Sequence, residues 1–191
     1  AFKNPTKPVG SFMDAELAAQ RRDRDGWSVV EDSGRGWRRV VPSPAPKRIV
    51  QEGIIRELCS RGETVIGAGG GGIPVVEEAD GTLSGVEAVI DKDLASSLLA
   101  TAIGAELLLI STEVEKVALD FNKPTVRWLD SLTAAEAERH LAEGQFGKGS
   151  MEPKVRAVLG YLERGGKQAI ITNPDNMARA LRGETGTRFS A

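Results

Sequence analysis

Helical and extended apolar patterns alternate along this chain from about residue 48 to its end. Two short runs, ELLLI at residues 106–110 and KQAIIT at residues 167–172, are apolar at neighbouring positions rather than at every second one. Each run lies between segments in which apolar residues recur three or four positions apart, as in helices that bury one face. Strands that are apolar on both faces are typical of a parallel sheet covered by helices. The pattern predicts an α/β fold, mainly a parallel sheet sandwiched by helices.

Local signals place the individual elements of this fold. Four helices are predicted from apolar residues on one face, at residues 50–59, 94–103, 133–141 and 153–162. The third opens with a capping box formed by Thr133 and Glu136, and Asn173 with Pro174 predicts the start of a final helix. Two further strands and a hairpin excursion are expected, at residues 64–68, 86–90 and 73–81.

The first 47 residues differ in character from the rest of the chain. A short charged helix is predicted over residues 14–24, and the strands WSVVE and GWRRVV flank the turn signature DSGR at residues 32–35. The proline-rich stretch at residues 42–46 cannot continue a helix or a central strand. We therefore expect two domains: a small protruding α+β subdomain at residues 1–47 and an α/β domain at residues 48–191.

The charge balance limits the classes of partner. The chain has 25 Lys and Arg against 27 Asp and Glu, which gives a net charge of −2. A general nucleic-acid or membrane binder usually carries a basic excess, and no apolar run approaches the roughly 20 residues that span a bilayer. The single cysteine, Cys59, fits a reducing, cytoplasmic setting. Because the chain begins at Ala1 without Met or a signal-like segment, we expect it to be the C-terminal part of a longer protein.

The first unusual loop is glycine-rich and follows the strand expected at residues 64–68. It reads GAGGGG at residues 67–72 and formally matches the dinucleotide-binding fingerprint G-x-G-x-x-G. That interpretation requires a helix to follow at once, and IPVV at residues 73–76 is not a helix start, so we reject it. Consecutive glycines Gly69, Gly70, Gly71 and Gly72 still allow backbone N–H groups to approach an anion closely. The alternative is a flexible turn.

Two further loops place lysines where helices begin. Asp91, Lys92 and Asp93 precede the second predicted helix, where a lysine can reach a phosphate and a neighbouring carboxylate can orient it. The alternative is a helix N-cap beside a solvated lysine. Lys154 falls in the first turn opened by Pro153, where a cation opposes the helix dipole unless an anionic ligand lies there. The alternative is a tolerated surface lysine.

Taken together, the loops provide two lysines and a glycine nest after strands of one sheet, and ligands bind at the carboxyl ends of such strands. Phosphoryl transfer needs mainly positioned positive charge and little covalent chemistry. The residues therefore predict a nucleotide or phosphate site without identifying the acceptor. Three other candidates are expected to have packing or surface roles: His140 in an amphipathic helix, Cys59 on an apolar face, and Trp128.

Five motifs closely resemble the carbamate kinases, a branch of the amino acid kinase family. They are NPTKPVG at residues 4–10, GWRRVVPSP at 36–44, GGGGIPV at 69–75, GVEAVIDKDLAS at 85–96 and GSMEPK at 149–154. The resemblance extends over essentially all 191 residues. It implies reversible phosphoryl transfer between ADP and carbamoyl phosphate, giving ATP and carbamate, with Mg²⁺. It also implies a homodimer that serves ATP production from arginine or purine breakdown.

The resemblance also implies roles for individual residues. The phosphate-contacting lysines of the family fall on Lys92 and Lys154, and the acidic residue that orients them falls on Asp93. Lys7 is the expected phosphate-facing residue of the protruding subdomain. The adenine is expected between residues 111–115 and 145–151, and the phosphates near the glycine loop. The nucleotide-binding residues implied are therefore Gly69, Gly70, Gly71, Gly72, Asp91, Thr112, Glu113, Gly149, Ser150 and Met151; no metal ligand is assigned.

Family members begin with an N-terminal portion that this sequence does not contain, which supplies an opening strand and loops that help to hold the substrate. By itself the 191-residue chain is therefore expected to bind ADP weakly and to have no measurable kinase activity. Two alternatives remain open at this point. One is another acyl-phosphate-forming kinase that acts on an amino-acid carboxylate, and the other is a non-catalytic remnant that binds nucleotide or pairs with a partner chain.

Overall fold

The structure is a computed structural model that describes residues 1–32 and 34–191. Its internal contacts divide the chain into two compact units. Unit 1 comprises Ala1–Ala45 and Gly70–Asp91, and unit 2 comprises Pro46–Gly69 and Lys92–Ala191. Within the described residues, no helix combines the length and the apolar character that crossing a bilayer requires.

Unit 1 is built on a three-stranded antiparallel sheet. Its elements are β1 (Lys7–Met13), α1 (Ala15–Asp25), β2 (Val29–Glu31) and β3 (Trp37–Val41), followed by the hairpin strands β4 (Val75–Glu77) and β5 (Leu83–Gly85). The sheet order is β1-β3-β2, so the predicted hairpin of β2 and β3 is confirmed. Ser33, within the expected turn, lies outside the described residues. Asp14 caps α1 by accepting the Leu17 N–H, as its short side chain allows.

Unit 2 contains the α/β sheet. Its elements are α2 (Glu52–Ser60), α3 (Lys92–Ile103), β6 (Leu107–Ser111), β7 (Val117–Leu119), β8 (Arg127–Leu129), β9 (Ser131–Thr133), α4 (Ala134–Ala142), α5 (Met151–Glu163), β10 (Gln168–Thr172), a 3-10 turn (Pro174–Asn176), α6 (Met177–Leu181) and β11 (Thr187–Ser190). The sheet order is β6-β10-β11-β9, with β6 parallel to β10 and β11 parallel to β9. Strands β10 and β11 run antiparallel, so the sheet is mixed.

Both faces of this sheet are covered, which confirms the α/β prediction. A row of paired residues crosses all four strands, namely Leu108, Ala169, Phe189 and Leu132. All four belong to one buried cluster with Val155 and Val158 of α5. On the opposite face of β10, Ile170 lies against Gly186 and Ala180. Gly186 has φ +79, and a Cβ there would lie 3.2–3.3 Å from three side chains, so this close approach requires glycine.

Two predicted strands were wrong. Residues 64–68 and 86–90 form no strand, and Ile66 is 97 % exposed. A strand exists only when a neighbour completes its hydrogen-bond ladder, and no described strand pairs with either segment. The Val86 N–H donates to the Pro74 carbonyl, just beyond the end of the β4–β5 hairpin, and the Val89 N–H donates to the Pro42 carbonyl. The apolar pattern of these segments is typical of strands. A sequence pattern does not show, however, whether a neighbouring strand is available for pairing.

Candidate active site

Three charged side chains meet where α3 and α5 begin. Asp93 is the second residue of α3 and Lys154 is the fourth residue of α5. Lys154 Nζ lies 2.8 Å from Asp93 Oδ2, and Lys92 Nζ lies 3.0 Å from Asp93 Oδ1. The side chains of Lys154 and Asp93 are 11 % and 9 % exposed, whereas that of Lys92 is 54 % exposed. One buried carboxylate thus holds one buried and one accessible ammonium; we name these three residues the lysine cluster.

Polar contacts between α3 and α5 fix the geometry of the lysine cluster. Ser97 lies one turn beyond Asp93 on the same face of α3, because residues four apart share a helix face. Its hydroxyl donates to the Ala157 carbonyl at 2.6 Å and accepts from Arg164 Nη2 at 2.7 Å. Ser97 and Ala157 are buried, so these bonds register the two helices against each other. Asp93 and Lys154 are therefore positioned by rigid elements rather than by loops.

The lysine cluster also explains why a cation is tolerated near the start of α5. A helix N-terminus favours negative charge, so Lys154 alone would be unfavourable there. The Asp93 carboxylate, from the first turn of α3, supplies the compensating charge inside the protein. Asp93 is itself close to the α3 N-terminus, where its charge is favoured. These three groups consist of two cations and one anion, so the three together carry a net positive charge.

In unit 1, Lys7 and Asp91 form an ion pair of their own. Lys7 is the first residue of β1, and its ammonium donates to Asp91 Oδ2. Asp91 is buried, while the Lys7 side chain is about one-third exposed. Asp91 directly precedes Lys92 in the chain. Lys7 and Asp91, both predicted as site residues, are thus in contact with each other within unit 1.

A cleft of about 140 Å³ opens in unit 2 beside the first turn of α5. The segment after β6 and the segment before α5 form its walls, as the predicted adenine position requires. Four of the predicted nucleotide-binding residues line it, namely Thr112, Glu113, Ser150 and Met151; Gly149 is not among the lining residues. Because Ser150 and Met151 lie three to four positions before Lys154 on α5, the cleft and the lysine cluster are neighbours along one helix.

Two buried threonines, Thr172 and Thr187, attach the cleft wall to the sheet, and neither is among the predicted site residues. The Thr112 N–H donates to the Thr172 carbonyl at 2.8 Å, and the Thr172 hydroxyl donates to the Glu115 carbonyl at 3.0 Å. The Thr187 hydroxyl accepts the Val117 N–H at 2.8 Å and donates to a carbonyl of β8. These partners are 57 to 70 residues apart, so no local sequence signal could reveal them.

The glycine loop has a backbone that only glycine adopts readily. Gly69, Gly71 and Gly72 have φ values of +47, +131 and +85. The division between the two units falls between Gly69 and Gly70. The backbone conformation of the loop therefore favours glycine at these positions. The contact of the loop with phosphate stays a prediction.

The three remaining candidates differ in burial, and none of them is among the residues that line the cleft. His140 is buried on α4, more fully than expected, with Nδ1 2.9 Å from a Glu143 carboxylate oxygen. Cys59 is only half-buried. Trp128 packs edge-on against Phe121, with ring centroids 6.1 Å apart, and Phe121 lines the cleft. Two aromatic residues, Phe121 and Phe146, thus line the cleft, and no sequence pattern identified Phe121.

A helix-flanked sheet with cations at its helix N-termini is typical of phosphate-handling α/β proteins. Residues 11–173 match the model of the amino acid kinase family. The chain belongs to the amino acid kinase family, and the resemblance found in the sequence is confirmed.

Within the family, the chain is similar to carbamate kinases and to a carbamate kinase-like protein. The carbamate kinase of Thermococcus kodakarensis is 50 % identical over 188 residues, which is 98 % of this chain and 59 % of the relative. The carbamate kinase-like protein YahI of Escherichia coli is 51 % identical over 98 % of this chain and 60 % of its own length. The carbamate kinase of Giardia lamblia bound to citric acid superposes with a TM-score of 0.91 at 42 % identity, covering 99 % of this chain and 59 % of that one. The chain thus spans about 60 % of the length of the relatives it matches.

Proposed function

We propose that this chain is the nucleotide-binding part of a carbamate kinase, which converts ADP and carbamoyl phosphate to ATP and carbamate, and the reverse. The observation that carries the proposal is the lysine cluster, in which Asp93 holds Lys92 and Lys154 at the start of two helices. The relatives are a carbamate kinase and a carbamate kinase-like protein, which favours carbamate over an amino-acid carboxylate as the acceptor. The intact cluster favours a catalytic protein over a nucleotide-binding remnant.

In this proposal the three residues of the lysine cluster act by charge. In the direction of ATP synthesis, a β-phosphate oxygen of ADP attacks the phosphorus as its bond to the carbamate oxygen breaks. Negative charge is spread over the phosphoryl oxygens throughout, so fixed cations lower the barrier. Lys92 and Lys154 supply that charge, and Asp93 keeps both ammoniums oriented before the ligand arrives. Lys7, held by Asp91 in unit 1, is the third proposed phosphate-facing cation.

The nucleotide is proposed to run along the first turn of α5. Its adenine would occupy the cleft beside Ser150 and Met151, and its phosphates would reach the lysine cluster one turn further on. A Giardia lamblia carbamate kinase structure at 43 % identity is described as bound to AMP-PNP, which supports an adenine nucleotide as ligand. We also propose phosphate contacts for the glycine loop, residues 69–72, and a nucleotide contact for Gly149 near the turn.

The proposed Mg²⁺ would be held chiefly by the phosphates of the nucleotide. Among the described residues, no group of three His, Cys, Asp or Glu side chains could hold a metal ion. Mg²⁺ commonly keeps several waters and binds through substrate phosphates with one or two protein carboxylates. It would add positive charge opposite the lysines and shield the attacking oxygen.

Further features of the whole protein are proposals of the same kind. We propose a cytoplasmic homodimer that serves ATP production from arginine or purine breakdown. Residues 1–47 are proposed to form a protruding subdomain, and residues 48–191 the nucleotide-binding domain.

The test is ATP formation by the complete protein, made from its whole gene, with ADP, Mg²⁺ and carbamoyl phosphate. Luciferase luminescence should report ATP that depends on carbamoyl phosphate, while acetyl phosphate and N-acetylglutamyl phosphate should give little. Replacing Lys154 with Met should lower kcat by at least about a hundredfold, because it removes charge that stabilises the transition state. ATP formation from N-acetylglutamyl phosphate but not carbamoyl phosphate would reassign the acceptor. ADP binding without any turnover would favour the binding remnant.

A further inference from the structure

Gln145 projects from the cleft wall with its amide orientation fixed by the backbone of a neighbouring loop. It follows α4, and its own N–H donates to the His140 carbonyl at 3.0 Å. Its side-chain Oε1 accepts the Asp120 N–H at 3.0 Å. A backbone N–H can only donate, so the oxygen of the amide must face Asp120. The Nε2 group, which can only donate, is therefore left for another partner.

The loop that fixes Gln145 is itself held firmly. Asp120 connects β7 to the loop before β8 and adopts a positive φ of 50. Its carboxylate accepts from Lys123 Nζ at 2.8 Å and from the Thr125 hydroxyl at 3.1 Å. The hydrogen bond from Lys123, followed by that from Thr125, lowers the pKa of Asp120 below its ordinary 3.8, so the carboxylate stays ionised at neutral pH. The backbone N–H that orients Gln145 is thus presented by an ordered turn.

The free end of the amide belongs to the cleft. Gln145 lines the cleft together with Phe121, Val114 and Met151, and within the described residues Nε2 has no protein acceptor. The cleft volume of about 140 Å³ is below the roughly 300 Å³ of a typical small-molecule pocket, so it suits one ring system rather than a whole nucleotide. A flat ring with an acceptor at its edge complements the apolar side chains of this wall and the oriented Nε2 donor.

We propose that Gln145 is a specificity-determining residue that donates from Nε2 to an acceptor atom on the edge of the purine base. This inference deepens the proposed function and rests on it, since it assumes that a nucleoside diphosphate binds in this cleft. The fixed amide would select bases by the acceptor that they present. The phosphates would be bound elsewhere, by the lysine cluster.

Two substitutions separate this role from a structural one. Gln145→Glu keeps an oxygen acceptor for the Asp120 N–H but replaces the donor with a second acceptor. Gln145→Met removes both the acceptor for the Asp120 N–H and the Nε2 donor. If Nε2 binds the base, Gln145→Glu should weaken ADP binding about tenfold or more by calorimetry, because it loses a hydrogen bond and sets a carboxylate against a lone pair. Binding of inorganic pyrophosphate, which has no base, should change less than twofold in both variants.

Deaza analogues of ADP identify the acceptor. The complete wild-type protein should bind one of 1-deaza-ADP, 3-deaza-ADP and 7-deaza-ADP several-fold more weakly than ADP, and Gln145→Met should abolish that difference. If Gln145→Glu binds ADP like the wild type and only Gln145→Met is impaired, Gln145 merely supports the Asp120 loop and the inference is overturned. If the wild type makes ATP from carbamoyl phosphate in that case, the proposed function still stands. A wild type that binds no ADP overturns both.

Discussion

Replacing Asp93 with Asn should destabilise the protein strongly, because Asp93 is the buried counter-charge of Lys154. The Lys154 side chain is 11 % exposed, and the substitution removes the negative charge 2.8 Å from its ammonium while keeping the shape of the residue. Removing one partner of a buried ion pair costs about 3–5 kcal/mol, since the remaining charge stays desolvated. The Asn oxygen can still accept one hydrogen bond, so the lower end, about 3 kcal/mol, is expected. For a chain of this length that lowers Tm by about 6–12 °C.

The matched control is an ion pair of the same length at the surface. Lys167 Nζ lies 2.8 Å from Glu106 Oε1, but the two side chains are 71 % and 81 % exposed. Glu106→Gln makes the same change from acid to amide in water, where screening leaves little to lose. Its urea midpoint should match that of the wild type. Urea unfolding followed by circular dichroism measures both variants, and equal m-values would show that the unfolded states are comparable.

A double substitution tests the electrostatic cause. In Asp93→Asn with Lys154→Met, the buried ammonium is gone, so the double variant should be more stable than Asp93→Asn alone. This non-additivity would not arise if Asp93 contributed only by packing. The reasoning is refuted if Asp93→Asn unfolds at the midpoint of Glu106→Gln, or if adding Lys154→Met lowers the stability further.

Three other predictions concern the cleft wall, the sheet and a helix cap. Thr187→Val removes the hydroxyl that holds Val117, so it should raise KM for ADP several-fold with little change in kcat, and Thr187→Ser should restore KM. Gly186→Ala places a Cβ 3.2–3.3 Å from three side chains at φ +79 and should cost about 2–4 kcal/mol in urea unfolding. At Gly62, where φ is +85 and nothing lies within 4 Å, alanine should cost only about 1–2 kcal/mol; equal losses would contradict the packing argument. Glu136 accepts the Thr133 N–H, which lowers its pKa below 4.5 in the folded protein, so its contribution is present above pH 4.5 and is lost as the pH falls through the lowered pKa. The stability difference between wild type and Glu136→Gln should therefore shrink from pH 7 to pH 3, and a constant difference would contradict it.

The elements that were predicted correctly depend on local signals. The capping box of Thr133 and Glu136 acts within one turn, and it opens α4 as expected. The apolar run of β10 is buried on both faces, and that of β6 is buried on one face and half-buried on the other; the continuous apolar character of both runs is visible in the sequence itself. Strands β7, β8, β9 and β11 are three or four residues long, and β9 pairs with β11, which lies far along the chain. Short strands of this kind carry too few residues for a period to be read.

The residues of the candidate site also divide into those that a local signal predicted and those that no local signal could predict. Lys92 and Asp93 are adjacent, and Lys154 is marked by its conflict with the helix dipole, so each had a local signal. The contact between Asp93 and Lys154 joins residues 61 positions apart, and only the packing of α3 on α5 brings them together. Gln145 lies in the segment 145–151 that was predicted to contact the adenine, but nothing in the sequence marked its side chain within that segment. Phe121 had no signal, because an aromatic residue in a turn is ordinary. Only the structure shows that the Asp120 N–H orients the Gln145 amide and that Gln145 and Phe121 both line the cleft.

The ratio of charges in the lysine cluster relates its stability to its proposed chemistry. If each lysine had its own carboxylate, the site would be neutral and would attract a phosphate weakly. Sharing Asp93 between Lys92 and Lys154 stabilises the buried cation and still leaves one positive charge among the three groups. In the proposed function, a bound phosphate would supply the second negative charge, so ligand binding and folding would reinforce each other. The cations would then be oriented before charge develops on the ligand, which is the preorganisation that the proposed catalysis requires.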